Sequence, residues 1–301
     1  MSMRANIFFL YGATVLIWGT TWLGIKFQLG GVDPMASVLY RFMAAAMILM
    51  LYCKLVGLRM RFQLKDHVFM VLQGLLLFSV NYWIIYLASV HLTSGLVAVI
   101  FSSIVFMNML NGAVLMGSPI RFSVLLGGII GVAGIVFVFW SEISAFSFSD
   151  KAATGVVLAA LSTYMASLGN IISARHQKND LPVIQTNAFA MAYGVVIMGI
   201  ITIASGKEFG FDISLAYVGS LIYLSVFGTV IAFGCYLKLI GKIGADRAAY
   251  ATMLFPIVAL VISTFFEDYQ WSAHNIIGMV LVLMGNLLVI NKKALQMRGS
   301  K

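Results

Sequence analysis

Charge is what this sequence has least of. Only 10% of its 301 residues are Asp, Glu, Lys or Arg, against roughly 25% in a soluble domain. A chain of this size cannot cover a water-facing surface with so few charges, so a soluble enzyme and a disordered chain are excluded. Cysteine is scarce too. Cys53 and Cys235 each lie inside an apolar run. Two such residues cannot staple a disulfide scaffold, and no Cys-x-x-Cys or Cys/His cluster encodes a metal or redox site. No cofactor is expected. The four prolines and 28 glycines make no low-complexity tail.

What the chain holds instead is apolar. Hydrophobic residues make up 61% of it, where about 45–50% is usual. They fall into runs of the roughly 20 residues that a membrane-crossing helix needs. Ten runs are visible, at about 5–25, 35–57, 68–88, 93–116, 121–140, 153–174, 183–204, 215–237, 247–266 and 274–290. The connections are too short for a soluble domain. Nine more runs follow the first, which therefore reads as a retained span and not a cleaved signal peptide. The expected fold is all-α: a polytopic membrane protein with ten transmembrane helices surrounded by lipid.

The net charge of +9 would suggest nucleic acid in a soluble protein. Here it is a topology signal, and no nucleic-acid partner is expected. With the N-terminus in the cytoplasm, alternate counting places fifteen basic residues inside and only Lys151 and Lys207 outside. That is the positive-inside bias. It predicts an inner (cytoplasmic) membrane protein with both termini cytoplasmic. Asp33, Glu142, Asp150, Glu208, Asp212, Glu267 and Asp268 fall outside; Asp66, Asp180 and Asp246 fall inside.

The chain also repeats itself. Leu23-Gly24 matches Leu168-Gly169, Pro34 matches Pro182, Tyr86-Leu87 matches Tyr236-Leu237, and Gly127 and Gly134 match Gly278 and Gly285. The offset grows steadily from 145 to 151, as small insertions would require. This predicts two five-helix units, residues 1–145 and 146–301. Five crossings leave the second unit starting on the opposite side, so the repeats are inverted. Inverted repeats place a solute site at their interface near the bilayer midplane and expose it to one side at a time by rocking.

Span one reads IWGTTWLGIKF, followed by Asp33-Pro34 and YRFMAA at 40–45; span nine reads GADRAAYATMLFPIVALVISTFFED, and span ten IIGMVLVLMGNLLVI. This ordered set resembles the EamA-like branch of the drug/metabolite transporter superfamily over nearly the whole chain. The resemblance implies a central cavity lined by spans one to four and six to nine, with five and ten outside it. It also implies transport of small metabolites, often amino acids or related solutes, with many members exporting them. Span four departs from the pattern. It lacks the usual mid-span proline, and Ser118-Pro119 follow Gly117 where a glutamate is usual, whereas the second half keeps Pro256 and Glu267.

Candidate site residues are the polar and aromatic groups within the spans. Lys26 and Arg41 are the charges set well inside hydrocarbon, where a cation costs about 2.5–3.5 kcal/mol on insertion scales and normally faces a cavity or a partner. Trp18, Trp22 and Lys26 recur every four residues and share a helix face. Together they read as a cationic, aromatic-walled site for a carboxylate; the competing reading of Lys26 is a side chain snorkelling to the headgroups. Asn81, Tyr82 and Tyr86 in span three, Ser103 and Asn108 in span four, Tyr164 and Asn170 in span six, and Tyr193 in span seven complete the set. Such amides and hydroxyls either bind solute or join helices by hydrogen bonds of roughly 0.6 kcal/mol. Tyr236 and Tyr250 sit nearer the inner ends and read as interface-belt residues. Pro256 is expected to kink span nine. The Gly127–Gly131 GxxxG is expected to pack within the monomer, not to make a homodimer.

No acid falls securely inside a span, and all four histidines lie near span ends. That disfavours an obligate proton relay and favours a uniporter or exchanger driven by solute gradients. The leading expectation is a carrier of amino acids or related carboxylate-bearing metabolites. Alternatives are a multispecific efflux permease for amphipathic compounds and a non-transporting receptor or assembly subunit. An intramembrane enzyme lacks its paired acids, Ser/His dyad or metal set. A channel lacks continuous polar rings.

Overall fold

The structure is a computed structural model that describes residues 3–28, 31–147, 149–266 and 270–290. No strand occurs among them. Eight helices are long and apolar enough to cross a membrane, and two shorter apolar helices join them. In chain order α1 is Met3–Lys26, α2 Pro34–Leu55, α5 Phe122–Val138, α6 Asp150–Lys178, α7 Val183–Ala204 and α10 Ala273–Ile290. The other four are discontinuous. Helix α3 runs Leu64–Leu77 then Val80–Ser89, and α4 runs Ser94–Ser102 then Ile104–Met116. Helix α8 runs Leu215–Ser225, a π-helical turn Val226–Ile231, then Ala232–Ile243; α9 runs Ala245–Ala248 then Tyr250–Phe266.

The starts are capped by short side chains. Asp33 accepts from the amide of Met35 at 2.8 Å ahead of Pro34, while Thr93, Ser149 and Ser214 cap α4, α6 and α8. Each satisfies an amide that the helix itself leaves open. Gly117 ends α4 at φ 63°, and Gly244 separates α8 from α9 at φ 95°. L side chains rarely adopt either conformation. The breaks are managed with hydroxyls. Ser79 Oγ donates to the Gly74 carbonyl at 2.9 Å, Ser103 Oγ to Ile100 at 2.6 Å and Thr229 Oγ1 to Leu224 at 2.9 Å. These are local side-chain bonds that let a helix bend without stranding a carbonyl in lipid.

Helices α3 and α8 extend beyond their apolar runs, beginning at Leu64 and ending at Ile243. The extra turns carry Lys65, Lys238 and Lys242, whose stems lie along the helix while their heads reach water. The connections at one end are basic and those at the other acidic, and we call these the basic and acidic ends. Large side chains such as Phe9, Val114, Ile203 and Leu287 are exposed on the outside of the bundle, where lipid covers them.

Packing repeats at an interval of five helices. Helix α2 lies on α7 and α5 on α10; α1 packs on α8 and α9, as α6 does on α3 and α4. Glycines fix the α5/α10 contact: Gly127 lies against Gly285 and Val289, and Gly134 against Gly278 and Val282. Numbers rising on one helix as they fall on the other show that equivalent helices run antiparallel. The start of α2 likewise clusters with the end of α7, through Met35, Leu39 and Met198. The two repeats are inverted, and the expected GxxxG contact is made within one chain.

Candidate functional site

Between the repeats lies a cavity of about 270 Å³. It is lined by α1 (Trp18, Thr21, Ile25), α2 (Arg41), α3 (Leu77, Asn81, Tyr82, Ile85), α4 (Val97, Ala98, Phe101, Ile104), α6 (Ser162, Ala166, Asn170), α8 (Phe233, Tyr236) and α9 (Thr252, Phe255, Pro256). Neither α5 nor α10 contributes. The linings from α1, α3 and α4 run from mid-membrane toward the acidic end.

Aromatic rings close the floor. The Trp18 ring lies 5.1 Å from Phe233, 5.0 Å from Tyr236 and 6.0 Å from Phe255, centre to centre. Its indole N–H donates to the Gly228 carbonyl at 3.1 Å. That carbonyl belongs to the π turn of α8, where bonding five residues apart disturbs the helical pairing. Pro256 acts similarly in α9, because it has no N–H to give the Thr252 carbonyl.

Arg41 is buried. Its Nε donates to Thr229 Oγ1 at 2.7 Å and its Nη2 to the same Gly228 carbonyl at 3.2 Å, with the guanidinium carbon 5.8 Å from the centre of the Phe42 ring. All these partners are neutral. No carboxylate among the described residues pairs with it, so the cavity wall carries an uncompensated positive charge. Opposite in character are the buried amide oxygens of Asn81 and Asn170, which have no hydrogen-bond partner among the described residues. Asn170 Nδ2 donates to the Tyr236 hydroxyl at 3.2 Å. The cavity therefore offers a cation and unfilled acceptors between apolar walls.

Five of the sequence candidates meet here: Trp18, Arg41, Asn81, Tyr82 and Asn170. The side chains of Trp22, Lys26 and Tyr86, and the residue Glu267, lie outside the described residues. Four candidates sit elsewhere. Ser103 bonds back to its own helix at the break in α4. Asn108 lies at a second pocket toward the basic end and donates to the Ala245 carbonyl at 3.0 Å. Tyr164 is 44% exposed; Ser162, Ala166 and Asn170 form the inward stripe of α6, and at 100° per residue position 164 points away from it. Tyr193 is mid-span but on α7, which does not line the cavity; its hydroxyl meets His67 Nδ1 at 2.9 Å.

Tyr236 and Tyr250 are not belt residues. Helix α8 continues past Tyr236 to Ile243, which draws this ring inside, and the Tyr250 hydroxyl bonds the Val124 carbonyl. Phe233 and Ser162 also line the cavity, and Gly228 and Thr229 hold Arg41; none of these is among the sequence candidates. A glycine–threonine pair inside an apolar helix was their one visible signal.

An inverted-repeat helical bundle with a cavity between its halves is the architecture of many membrane transporters. The sequence model of the EamA-like transporter family matches residues 5–140 and 153–291, and the chain belongs to that family, within the drug/metabolite transporter superfamily. It is 26% identical to the uncharacterized inner membrane transporter YedA of Escherichia coli K12, over 92% of this chain and 90% of that one. It is 25% identical to an uncharacterized transporter of Archaeoglobus fulgidus, over 93% and 97%. A solved crystal structure superposes over 100% of both chains with a TM-score of 0.81 at 16% identity, which shows the fold alone.

Proposed function

We propose that this transporter carries small organic solutes bearing a carboxylate, such as amino acids and related metabolites, by alternating access. Residues 1–145 and 146–301 act as the two rocking units, and transport is by exchange or export across the inner membrane. The basic end faces the cytoplasm with both termini, and the acidic end faces out. Reporter fusions in the 56–63 loop and at the C-terminus test the orientation; an external reporter at either place overturns it. The α5/α10 glycine seam is used up within one chain, which favours a monomer.

The observation that carries the reading is Arg41: a buried cation, partnered only by neutral groups, in the cavity wall. An anionic group on the solute supplies the missing countercharge, and the unfilled amide oxygens of Asn81 and Asn170 take its N–H or O–H donors. Vesicle counterflow with a panel of labelled metabolites tests this. A charge-assisted hydrogen bond contributes about 1.5–3 kcal/mol, so Arg41→Gln is expected to slow exchange about 10- to 100-fold while the protein still inserts. Wild-type rates in that variant remove the anion site. No carboxylate among the described residues lines the cavity, so the gradient of the solute is the proposed drive. A tightly coupled proton current in proteoliposomes contradicts that.

One observation favours a second reading, the efflux of amphipathic compounds. An apolar cleft of about 240 Å³ between α1, α4 and α9 shares Ala98 and Pro256 with the central cavity. Inhibition of exchange by lipophilic cations, undiminished in Arg41→Gln, selects it.

A further inference from the structure

Beneath the aromatic floor, toward the basic end, lies a second and larger pocket of about 610 Å³ between α4, α6, α8 and α9. Its rim holds Lys178 from α6, Lys238 and Lys242 from α8, and Arg121 from the α4–α5 connection. Arg121 is committed to Asp246 at 2.8 Å. The three lysines have no carboxylate partner among the described residues. A general excess of basic residues at this end explains lysines in loops. It does not explain why Lys238 and Lys242, four apart and so on one face of α8, line the same pocket as Lys178.

The deep end is Asn108. It is 1% exposed, its amide nitrogen is spent on the Ala245 carbonyl, and its amide oxygen has no partner among the described residues. Tyr236 lies beside it: Asn170 bonds the Tyr236 hydroxyl from the cavity side, and Asn108 approaches the same ring while lining the pocket below. Each side of this ring thus presents the same pair of features, uncompensated positive charge and an unfilled buried amide oxygen.

We propose that the basic-end pocket is a second binding site for the transported solute, an antechamber that takes a small carboxylate carrying an N–H donor before or after the central cavity does. The carboxylate sits among Lys178, Lys238 and Lys242, and the donor reaches Asn108 Oδ1. The inference rests on the carboxylate reading of the central cavity and adds a site to it.

Equilibrium dialysis of the purified protein against labelled anthranilate tests it, because that probe has both a carboxylate and an N–H donor. The wild type is expected to bind two per chain. Lys238→Gln with Lys242→Gln is expected to bind one, and so is Asn108→Ala. The lysines are exposed, so their variant keeps the fold even if loss of the Asn108–Ala245 tie does not. Arg41→Gln is expected to keep the antechamber molecule and lose the central one. Lys54→Gln with Lys65→Gln, which removes the same charge from the same end, leaves two. One site in the wild type, lost in Arg41→Gln and untouched by the lysine pair, overturns the antechamber and spares the carboxylate reading. Loss in the lysine pair with none in Arg41→Gln overturns the carboxylate reading of the central cavity, and with it the antechamber as a site for the transported solute. No binding up to about 10 mM, weaker than any useful affinity, overturns the antechamber.

Discussion

Thr229 holds the buried Arg41 in place. The hydroxyl accepts from Nε at 2.7 Å and itself donates to the Leu224 carbonyl. Thr229→Val keeps the shape and removes both bonds, which strands a buried guanidinium N–H. Leaving a buried donor unpaired costs about 1–3 kcal/mol, more when it is charged. Thermal unfolding in detergent is expected to show a loss of that order, while Thr229→Ser stays near wild type; equal stability of the two variants refutes the coupling. Arg41 itself was legible in the sequence, because a lone cation deep in a span costs too much to be idle. Its partners were not. Thr229 and Gly228 become available through a π turn, and nothing in the apolar pattern of 215–237 distinguishes that turn from ordinary helix. Tyr164 shows the opposite limit: a polar ring in mid-span has the right depth, but only the packing decides which way it points.

Among the elements, the ten spans could be read from hydropathy because bilayer thickness sets their length. The discontinuities in α3, α4, α8 and α9 could not, since none of the four breaks falls at a proline. They occur in the equivalent helices of the two repeats, and these helices line the cavity, so irregular backbone sits where it meets polar groups and not lipid. The regular pair α5/α10 was legible through its glycines. A side chain at Gly134 meets the Gly278 carbonyl and the Val282 amide, both at 2.7 Å. Backbone cannot step aside, so Gly134→Val is expected to abolish folded protein in size-exclusion profiles. Gly199 in α7 has nothing within 4 Å. Gly199→Ala is expected to leave the profile unchanged and to stabilise the helix by up to about 1 kcal/mol; normal folding of Gly134→Val removes the seam from the account.

For the whole molecule, three ion pairs among the described residues each join one repeat to the other. Asp66–Arg175 at 3.1 Å and Arg121–Asp246 at 2.8 Å lie at the basic end; Asp33–Lys207 at 3.2 Å lies at the acidic end. The basic-end pairs are the better shielded, and Arg175 also stacks its guanidinium 3.9 Å from the centre of the Phe69 ring. The tight floor of the cavity is toward that same end. In the proposed rocking, opening that end parts Arg121 from Asp246. Asp33–Lys207 bridges the start of α2 and the end of α7, which pack closely on one another, so the proposal puts it near the pivot, where it need not open. A short bifunctional thiol reagent distinguishes the two places. In a background with Cys53→Ala and Cys235→Ala, linking Arg121→Cys to Asp246→Cys is expected to arrest exchange in vesicles, with recovery on reduction. Linking Asp33→Cys to Lys207→Cys is expected to leave most of it. Asp66→Asn with Asp246→Asn, which loosens both basic-end pairs, is expected to speed thiol labelling of Ser167→Cys from the basic side. Exchange that survives the Arg121–Asp246 link shows that solute crosses without that end opening, and the rocking of two inverted repeats then no longer describes how it moves.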